Sequence, residues 1–220
     1  VLKCDIPIHH YGKLPSENSA KKAKMYYELG KKKLTLLKNS PAAVRELAIQ
    51  AAELQEYDES IQFWREYLGI APDDSTAYFN IATLCIQTAR FDDALTAARK
   101  AFELNPGSIT TMQTFASALI FAGSPKEAIR QLGLLLEKRQ GYPPAFVSLA
   151  IAHFSTDSKE EGLSCLDKLT AQGYNCGPAL YSTLKNLVIS GKLDQARTMF
   201  NCIRETGYSS SAIEELFKTA

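Results

Sequence analysis

The sequence has little of what membrane-spanning, secreted or nucleic-acid-binding chains need. Its 220 residues carry a formal net charge of only +1, with 45% hydrophobic residues. No apolar run approaches the roughly 18 residues of a membrane helix. No charged segment followed by an apolar run opens the chain, so no secretory signal is predicted. The balanced charge also lacks the basic excess that nucleic-acid binders show, which makes nucleic acid an unfavoured partner.

Cysteine is scarce and unpatterned. The chain has five cysteines, an odd number, with no CxxC pair and no histidines at ligand spacing. This usage excludes a regular disulfide framework and a zinc finger. Three of the five fall on predicted helical faces, where a free cysteine acts as a small apolar residue. A reducing, cytoplasmic setting is therefore predicted. The five are Cys4, Cys85, Cys165, Cys176 and Cys202.

The usual signatures of catalysis are also missing. There is no GxSxG, no phosphate-binding glycine loop and no HExxH. Three acidic pairs are adjacent in sequence instead of one helical turn apart, so each is interpreted as surface charge. We predict no catalytic residue, no cofactor and no enzymatic activity for this chain. The pairs are Asp92-Asp93, Glu160-Glu161 and Glu214-Glu215.

What the sequence does have is an internal repeat of 34 residues. Shifting the chain by that length aligns columns of like residues from 41 to 210 without an insertion. Small side chains recur where two helices must approach closely, and large ones recur where the space between repeats must be filled. One column reads Leu47, Ile81, Phe115, Leu149 and Thr183, large in the first four repeats. Its neighbour reads Ala48, Ala82, Ala116, Ala150 and Leu184, small in the first four repeats, and a second small-residue column reads Ser60, Ala94, Ala128, Gly162 and Ala196.

Turn signals divide each repeat into two helices. Gly123 and Gly191 suit the left-handed residue that ends a helix, and Pro125 suits a first helical turn. Pro-containing segments such as 71–74 and 105–108 separate one repeat from the next. The predicted organisation is a leading segment 1–40, five repeats and a C-terminal capping helix 211–220. The repeats are 41–74, 75–108, 109–142, 143–176 and 177–210.

These features resemble the tetratricopeptide repeat (TPR) family. The likeness is closest from Tyr78-Phe79-Asn80-Ile81-Ala82 through Phe91-Asp92-Asp93-Ala94-Leu95 to Leu104-Asn105-Pro106. It implies an all-α, right-handed superhelix of five tandem helix–turn–helix units with capping helices at both ends. The unit at 181–207 also resembles a pentatricopeptide repeat, an RNA-reading relative. A single such unit disfavours RNA binding, which needs several consecutive ones.

The TPR resemblance also implies a concave groove lined by the first helix of each repeat. Arg45 and Lys185 stand near the two ends of that groove, and the residues between them are largely apolar. A peptide or partner domain would suit this groove, by helix-in-groove recognition. The alternative is that the same residues pack against the facing wall. The predicted groove residues are Arg45, Ile49, Phe79, Thr83, Ile86, Gln113, Ser117, Ile120, Val147, Ile151, Phe154, Tyr181, Lys185 and Val188.

The leading forty residues differ from the repeats in charge and register. They carry nine lysines against Asp5, Glu17 and Glu28, whereas residues 41–220 have a net charge of −5. A helix capped by Asn18 or Ser19 and running to about Lys38 is predicted to cover the first repeat. Its predicted apolar stripe is Met25, Tyr26, Leu29, Leu34 and Leu37.

A second resemblance lies in this leading segment. Ile8-His9-His10-Tyr11-Gly12, followed by Tyr27-Glu28-Leu29-Gly30 and a repeat array, resembles the junction between a bacterial family-2 glycosyltransferase and its C-terminal TPR domain. His9 or His10 would then be a metal candidate, but only with an upstream catalytic domain, because two histidines alone do not complete a site. As the chain stands, no metal site is predicted.

The favoured function is a non-catalytic protein-interaction scaffold that belongs to a glycosyltransferase-type protein. The alternative is an accessory role in acceptor positioning or dimerisation within such an enzyme. An RNA-binding helical repeat is the least favoured. A protein or peptide partner is expected, a membrane partner is not, and homo-oligomerisation is left open.

Overall fold

A computed structural model describes residues 17–36 and 40–218, and every regular element within them is an α-helix. This confirms the predicted all-α fold class. The segment that carries Cys4, His9 and His10 lies outside the described residues. The contacts divide the chain into two compact lobes, the first ending at Ala71 and the second beginning at Pro72. No described helix is both long and apolar enough to cross a membrane.

The first lobe holds three helices, α1 (Glu17–Leu36), α2 (Pro41–Glu53) and α3 (Tyr57–Ile70). Ser40 caps α2, because its Oγ accepts a hydrogen bond from the Ala43 N–H at 3.4 Å. In this lobe α1 packs on α2, and α2 pairs with α3.

The second lobe holds nine described helices in consecutive pairs with a short final helix. Asp74 caps α4 through a 2.8 Å bond from the Thr76 N–H, and Ser108 caps α6. The helices are α4 (Ser75–Gln87), α5 (Phe91–Leu104), α6 (Ile109–Phe121), α7 (Pro125–Lys138), α8 (Pro143–Phe154), α9 (Lys159–Thr170), α10 (Gly177–Ile189), α11 (Leu193–Glu205) and α12 (Ser211–Lys218).

One turn geometry recurs within the helix pairs at the 34-residue spacing. A residue with positive φ ends the first helix, and the next N–H donates to the carbonyl five residues earlier, as from Arg90 to Cys85 at 2.8 Å. Glycine was predicted at two of these positions, but the other three carry larger residues. The turn therefore follows the repeat register and not only the glycine positions. The positive-φ residues are Gln55, Ala89, Gly123, Asp157 and Gly191.

The predicted apolar stripe of α1 is correct at Leu34, which packs against the core of the first lobe, but wrong at Met25, Tyr26 and Leu29. Leu37 lies outside the described residues. Tyr27 is buried at 2% exposure and packs with Leu47 and Ala51, whereas Met25, Tyr26 and Leu29 are each more than half exposed. The reason is the helical period. Residues 27, 30 and 34 share one face, and Gly30 lets the backbone of α1 come close to Leu47.

Candidate functional site

A cavity of about 390 Å³ lies in the second lobe, on the face formed by its first helices α4, α6, α8 and α10. Sixteen residues line it, and none carries a formal charge. Six of the lining side chains are apolar: Ile86, Phe121, Pro144, Val147, Ile151 and Ala179. The other ten carry a hydroxyl or an amide: Thr83, Gln87, Gln113, Thr114, Ser117, Ser148, Tyr174, Ser182, Thr183 and Asn186.

Hydrogen bonds between helices organise the polar part of this cavity. The Gln113 Nε2 on α6 donates to the Ser148 Oγ on α8 at 2.7 Å and lies 3.4 Å from the Ser117 Oγ. Asn186 on α10 donates from its Nδ2 to the carbonyl of Ile86 at 3.4 Å. These bonds leave hydroxyl and amide groups at the wall of the cavity, where both donors and acceptors are available.

The cavity brings together six of the fourteen predicted groove residues. Two further predicted residues, Ile120 and Phe154, are buried outside the cavity lining, so they pack against their neighbours instead of facing a partner. The six at the cavity are Thr83, Ile86, Gln113, Ser117, Val147 and Ile151. The buried residues, of which Val147 and Ile151 also line the cavity, are Ile120, Val147, Ile151 and Phe154.

The remaining predicted groove residues lie away from the cavity lining. Arg45 and Ile49 are exposed on α2 of the first lobe. Phe79 on α4 is half-buried, as are Tyr181 and Val188 on α10, and Lys185 on α10 is exposed. The predicted groove therefore holds residues of three kinds: cavity-lining, buried and peripheral.

The sequence interpretation missed a polar column beside the predicted ones. Thr114, Ser148 and Ser182 all line the cavity and stand 34 residues apart. Glu46 and Asn80 continue the same column toward the N-terminus, so every member is polar. This polar column lies one position after the column of Gln113 and its equivalents. Its uniform polarity is the signal that could have identified the three lining residues.

Two titratable groups of the second lobe, His153 and Cys202, have pKa values shifted toward their neutral forms. Burial lowers the pKa of His153, with Glu161 opposing the shift, so this half-buried imidazole is neutral near pH 7. Burial also raises the pKa of the Cys202 thiol to about 11, helped by its contact with Asp157. The four described cysteines are buried, as expected of small apolar residues. Among the described residues, no group of three or more His, Cys, Asp or Glu could hold a metal ion.

Comparisons with known proteins bear on the repeat and on the fold. A family model described as tetratricopeptide repeat matches residues 75–108, which are the bounds predicted for the second repeat. Tetratricopeptide repeat protein 33 of Mus musculus is 33% identical over 87 residues, 40% of this chain. The chain spans only about a third (33%) of the length of that relative.

Solved structures share the fold at low sequence identity. YrrB, a TPR protein with an unusual peptide-binding site, matches with a TM-score of 0.58 at 16% identity, over 87% of this chain and 99% of its own. A tetratricopeptide repeat protein from Parabacteroides merdae matches with a TM-score of 0.64 at 17% identity, over 91% and 81%. The repeat at 75–108 and the all-helical fold are therefore those of tetratricopeptide repeat proteins.

Proposed function

We propose that the second lobe binds an uncharged, extended segment of a partner protein in the cavity between α4, α6, α8 and α10. The observation that carries this proposal is the lining: sixteen side chains, all uncharged, most of them with a hydroxyl or amide. Such groups pair with the N–H and C=O groups of an extended backbone, while the apolar members of the lining cover its side chains. Although side chains with a hydroxyl or an amide are numerous in this wall, apolar atoms form the larger part of its exposed surface.

The absence of charge in the lining also restricts which partner segment fits. A buried carboxylate or ammonium needs a paired charge, because its desolvation is otherwise costly. The cavity lining offers none, so a charged chain terminus is disfavoured. An RNA segment is disfavoured for the same reason, since its phosphates need lysine or arginine.

The first experiment places a charge in the cavity without disturbing the core. Ser182 lines the cavity and is exposed, so Ser182→Arg can fill the space while the helix is retained. Peptides are selected from a displayed library of random, unstructured ten-residue sequences on the unchanged chain. Binding of a selected peptide is then measured by fluorescence anisotropy, and a loss of at least about tenfold is expected, the equivalent of about 1.4 kcal/mol.

The matched control is Ser164→Arg, an exposed serine on α9 that does not line the cavity. This variant should bind as the unchanged chain does. If Ser182→Arg keeps full affinity while its helical circular dichroism is unchanged, the cavity is not the binding site. Selected peptides with a central Asp, Glu, Lys or Arg would contradict the uncharged class.

The proposal that this chain is part of a glycosyltransferase-type protein is supported only by the resemblance of residues 8–33. An accessory role in acceptor positioning or dimerisation depends on the same resemblance. A DxD motif on a βαβ pattern in the same polypeptide would support it. Binding of a UDP-sugar by this chain alone would contradict the non-catalytic role proposed here, and isothermal titration calorimetry would detect that binding.

A further inference from the structure

The helix α1 follows the 34-residue register of the repeats, although the sequence analysis predicted it as a capping helix outside them. The second helices α3, α5 and α7 end at Ile70, Leu104 and Lys138, each 34 residues after the one before. Tyr27 of α1, which is 2% exposed, stands 34 residues before Ile61 of α3, which is buried to the same extent. By register, α1 is therefore the second helix of a repeat, and within the described residues no first helix precedes it.

Among the described helices, none covers the face of α2 that a preceding first helix would cover. In α6 the equivalent face is buried at Thr111, Thr114 and Ala118, where α4 packs against α6. The corresponding residues of α2 are Ala43, Glu46 and Gln50, of which Glu46 is exposed and the other two are half-buried. With residues of α1 they line a cavity of about 270 Å³. Its α1 residues are Tyr26, Leu29 and Gly30.

The α1 side of this face is apolar. Met25, Tyr26 and Leu29 are exposed by 52%, 59% and 52% and lie on one side of the helix. A cluster of exposed large apolar side chains beside a cavity is typical of an interaction surface, because each of them costs free energy in contact with water. We name this surface, from Met25, Tyr26 and Leu29 on α1 to Glu46 and Gln50 on α2, the end face.

Charge around the end face indicates the sign of its partner. The α1 sequence has six lysines and two glutamates, a net charge of +4. Lys22 is exposed one turn before the apolar residues, and Lys21 beside it is exposed as well. Lys31, on the opposite side of α1, is already paired with Glu28 and Glu59 at 3.2 and 3.4 Å. The lysines next to the end face therefore favour an acidic partner.

Two details restrict the shape of that partner. Tyr26 stands in the register position of Ser60, Ala94 and Ala128, so an incoming helix must lie over the tyrosine ring and not against the α1 backbone. At the base of the cavity, the Gln50 Oε1 is buried without a hydrogen-bond partner among the described residues, while its amide donates to Glu46 at 3.1 Å. A donor from the partner that reached this oxygen would satisfy it.

We propose that the end face binds an acidic amphipathic helix of a partner protein, in the position that a first helix takes before the second helix in the other repeats. The helix would set apolar residues at i, i+3, i+4 and i+7 over Met25, Tyr26 and Leu29, with Asp or Glu toward Lys21 and Lys22. This surface is separate from the cavity of the second lobe, so each proposal can fail without the other.

The test is selection of helices on the complete chain. A displayed library of 16-residue alanine-based helices is selected at 50 mM salt, and the recovered sequences are compared with the unselected ones. Enrichment of net negative charge together with one apolar stripe is expected. The affinity of a recovered helix should fall at least about tenfold with Leu29→Asp and severalfold with Lys22→Glu, and it should weaken as salt rises to 500 mM.

Ile189→Asp is the matched control, because Ile189 is an exposed apolar residue on α10, in the other lobe. It should leave the affinity unchanged. Recovered helices that are basic or uncharged, or whose binding does not depend on Leu29, would overturn the proposal. Sedimentation velocity tests whether the chain associates with itself through the end face. A dimer that Leu29→Asp dissociates would mean that a second copy of this chain occupies the end face, and it would overturn the proposal.

Discussion

At the scale of single residues, the fourth helix pair shows how one large side chain determines its neighbour. Phe154 on α8 is fully buried, whereas the residues 34 and 68 positions earlier are the smaller Ile120 and Ile86. Facing it on α9 is Gly162, where a Cβ would lie only 2.4 Å from the Phe154 Cε1. The glycine departs from the alanine of other repeats because the phenyl ring fills the alanine's space.

Gly162→Ala should therefore destabilise the chain although alanine favours helices. The steric cost of overpacking, about 1–3 kcal/mol, exceeds the gain in helix propensity of up to about 1 kcal/mol. Adding Phe154→Ile should recover much of the loss, since isoleucine leaves room for the methyl group. Urea unfolding of the single and double variants measures both effects. Gly133→Ala, at an open helical position, is the control and should be neutral or stabilising. A Gly162→Ala protein as stable as the unchanged chain would contradict this account.

At the scale of elements, one tyrosine connects α1 to both other helices of the first lobe. Tyr27 packs on Leu47 of α2, and its ring lies edge-on to that of Phe63 of α3, with 6.5 Å between the ring centres. Its hydroxyl donates a hydrogen bond to the Glu59 carboxylate of α3. This bond from Tyr27, with a second from Lys31, holds the pKa of Glu59 below its ordinary value. Burial and the same bond raise the pKa of Tyr27. The attachment of α1 thus depends on a polar contact as well as on apolar packing.

Tyr27→Phe should lower the stability at pH 7 by about 0.5–1.5 kcal/mol, the usual net value of one hydrogen bond. Because the folded pKa of Glu59 is depressed, its contribution is present above the ordinary value of 4.5 and is lost as the pH falls below it. The difference between the two proteins should therefore shrink between pH 5 and about pH 3. Urea unfolding across this range measures it. Tyr26→Phe, at the exposed neighbouring tyrosine, should change nothing, and an equal loss there would contradict the assignment.

At the scale of the whole molecule, residues far apart in sequence connect the last helix pair of the second lobe to its earlier helices. Asn186 reaches the carbonyl of Ile86 across 100 residues, and the Gln195 Nε2 donates to the carbonyl of Ile120 at 2.9 Å across 75 residues. The Lys192 Nζ also lies 5.8 Å from the centre of the Phe91 ring. The last helix pair therefore contacts the ends of α4 and α6 directly, beyond its neighbours in the chain. In a repeat array most contacts join adjacent repeats, so these few contacts hold the end of the array in place.

Gln195→Ala should loosen α10 and α11 more than the rest of the lobe. Losing its bond to the Ile120 carbonyl should cost about 0.5–1.5 kcal/mol and raise the amide hydrogen exchange of α10 and α11 relative to α6 and α7. Gln62→Ala is the control, since Gln62 is exposed on α3 and bonds only to Glu66 of its own helix. Exchange in α10 and α11 that equals that of the unchanged chain would show that this contact does not hold the last pair.

The elements of the fold could be predicted from the sequence because their determinants are local and repeated. Capping by Asp74 or Ser108, the alanine columns and the turns at 34-residue spacing each depend on residues within about one repeat. The same caps, alanine columns and turns recur along the chain, so several repeats independently indicate the same 34-residue register. Six of the sixteen residues that line the cavity were predicted in the same way, Thr83, Gln113 and Ser117 among them.

The sequence by itself therefore determined the repeat and the helix pairs. Only the tertiary structure decided that Ile120 and Phe154 are buried, that hydroxyl and amide groups from several helices meet at one cavity, and that Tyr27 instead of Tyr26 is buried against α2. The physical reason is that small rotations between successive helix pairs accumulate along an array. Contacts such as that between Asn186 and Ile86 depend on the rotation accumulated over several repeats, and the sequence of one repeat does not determine that rotation.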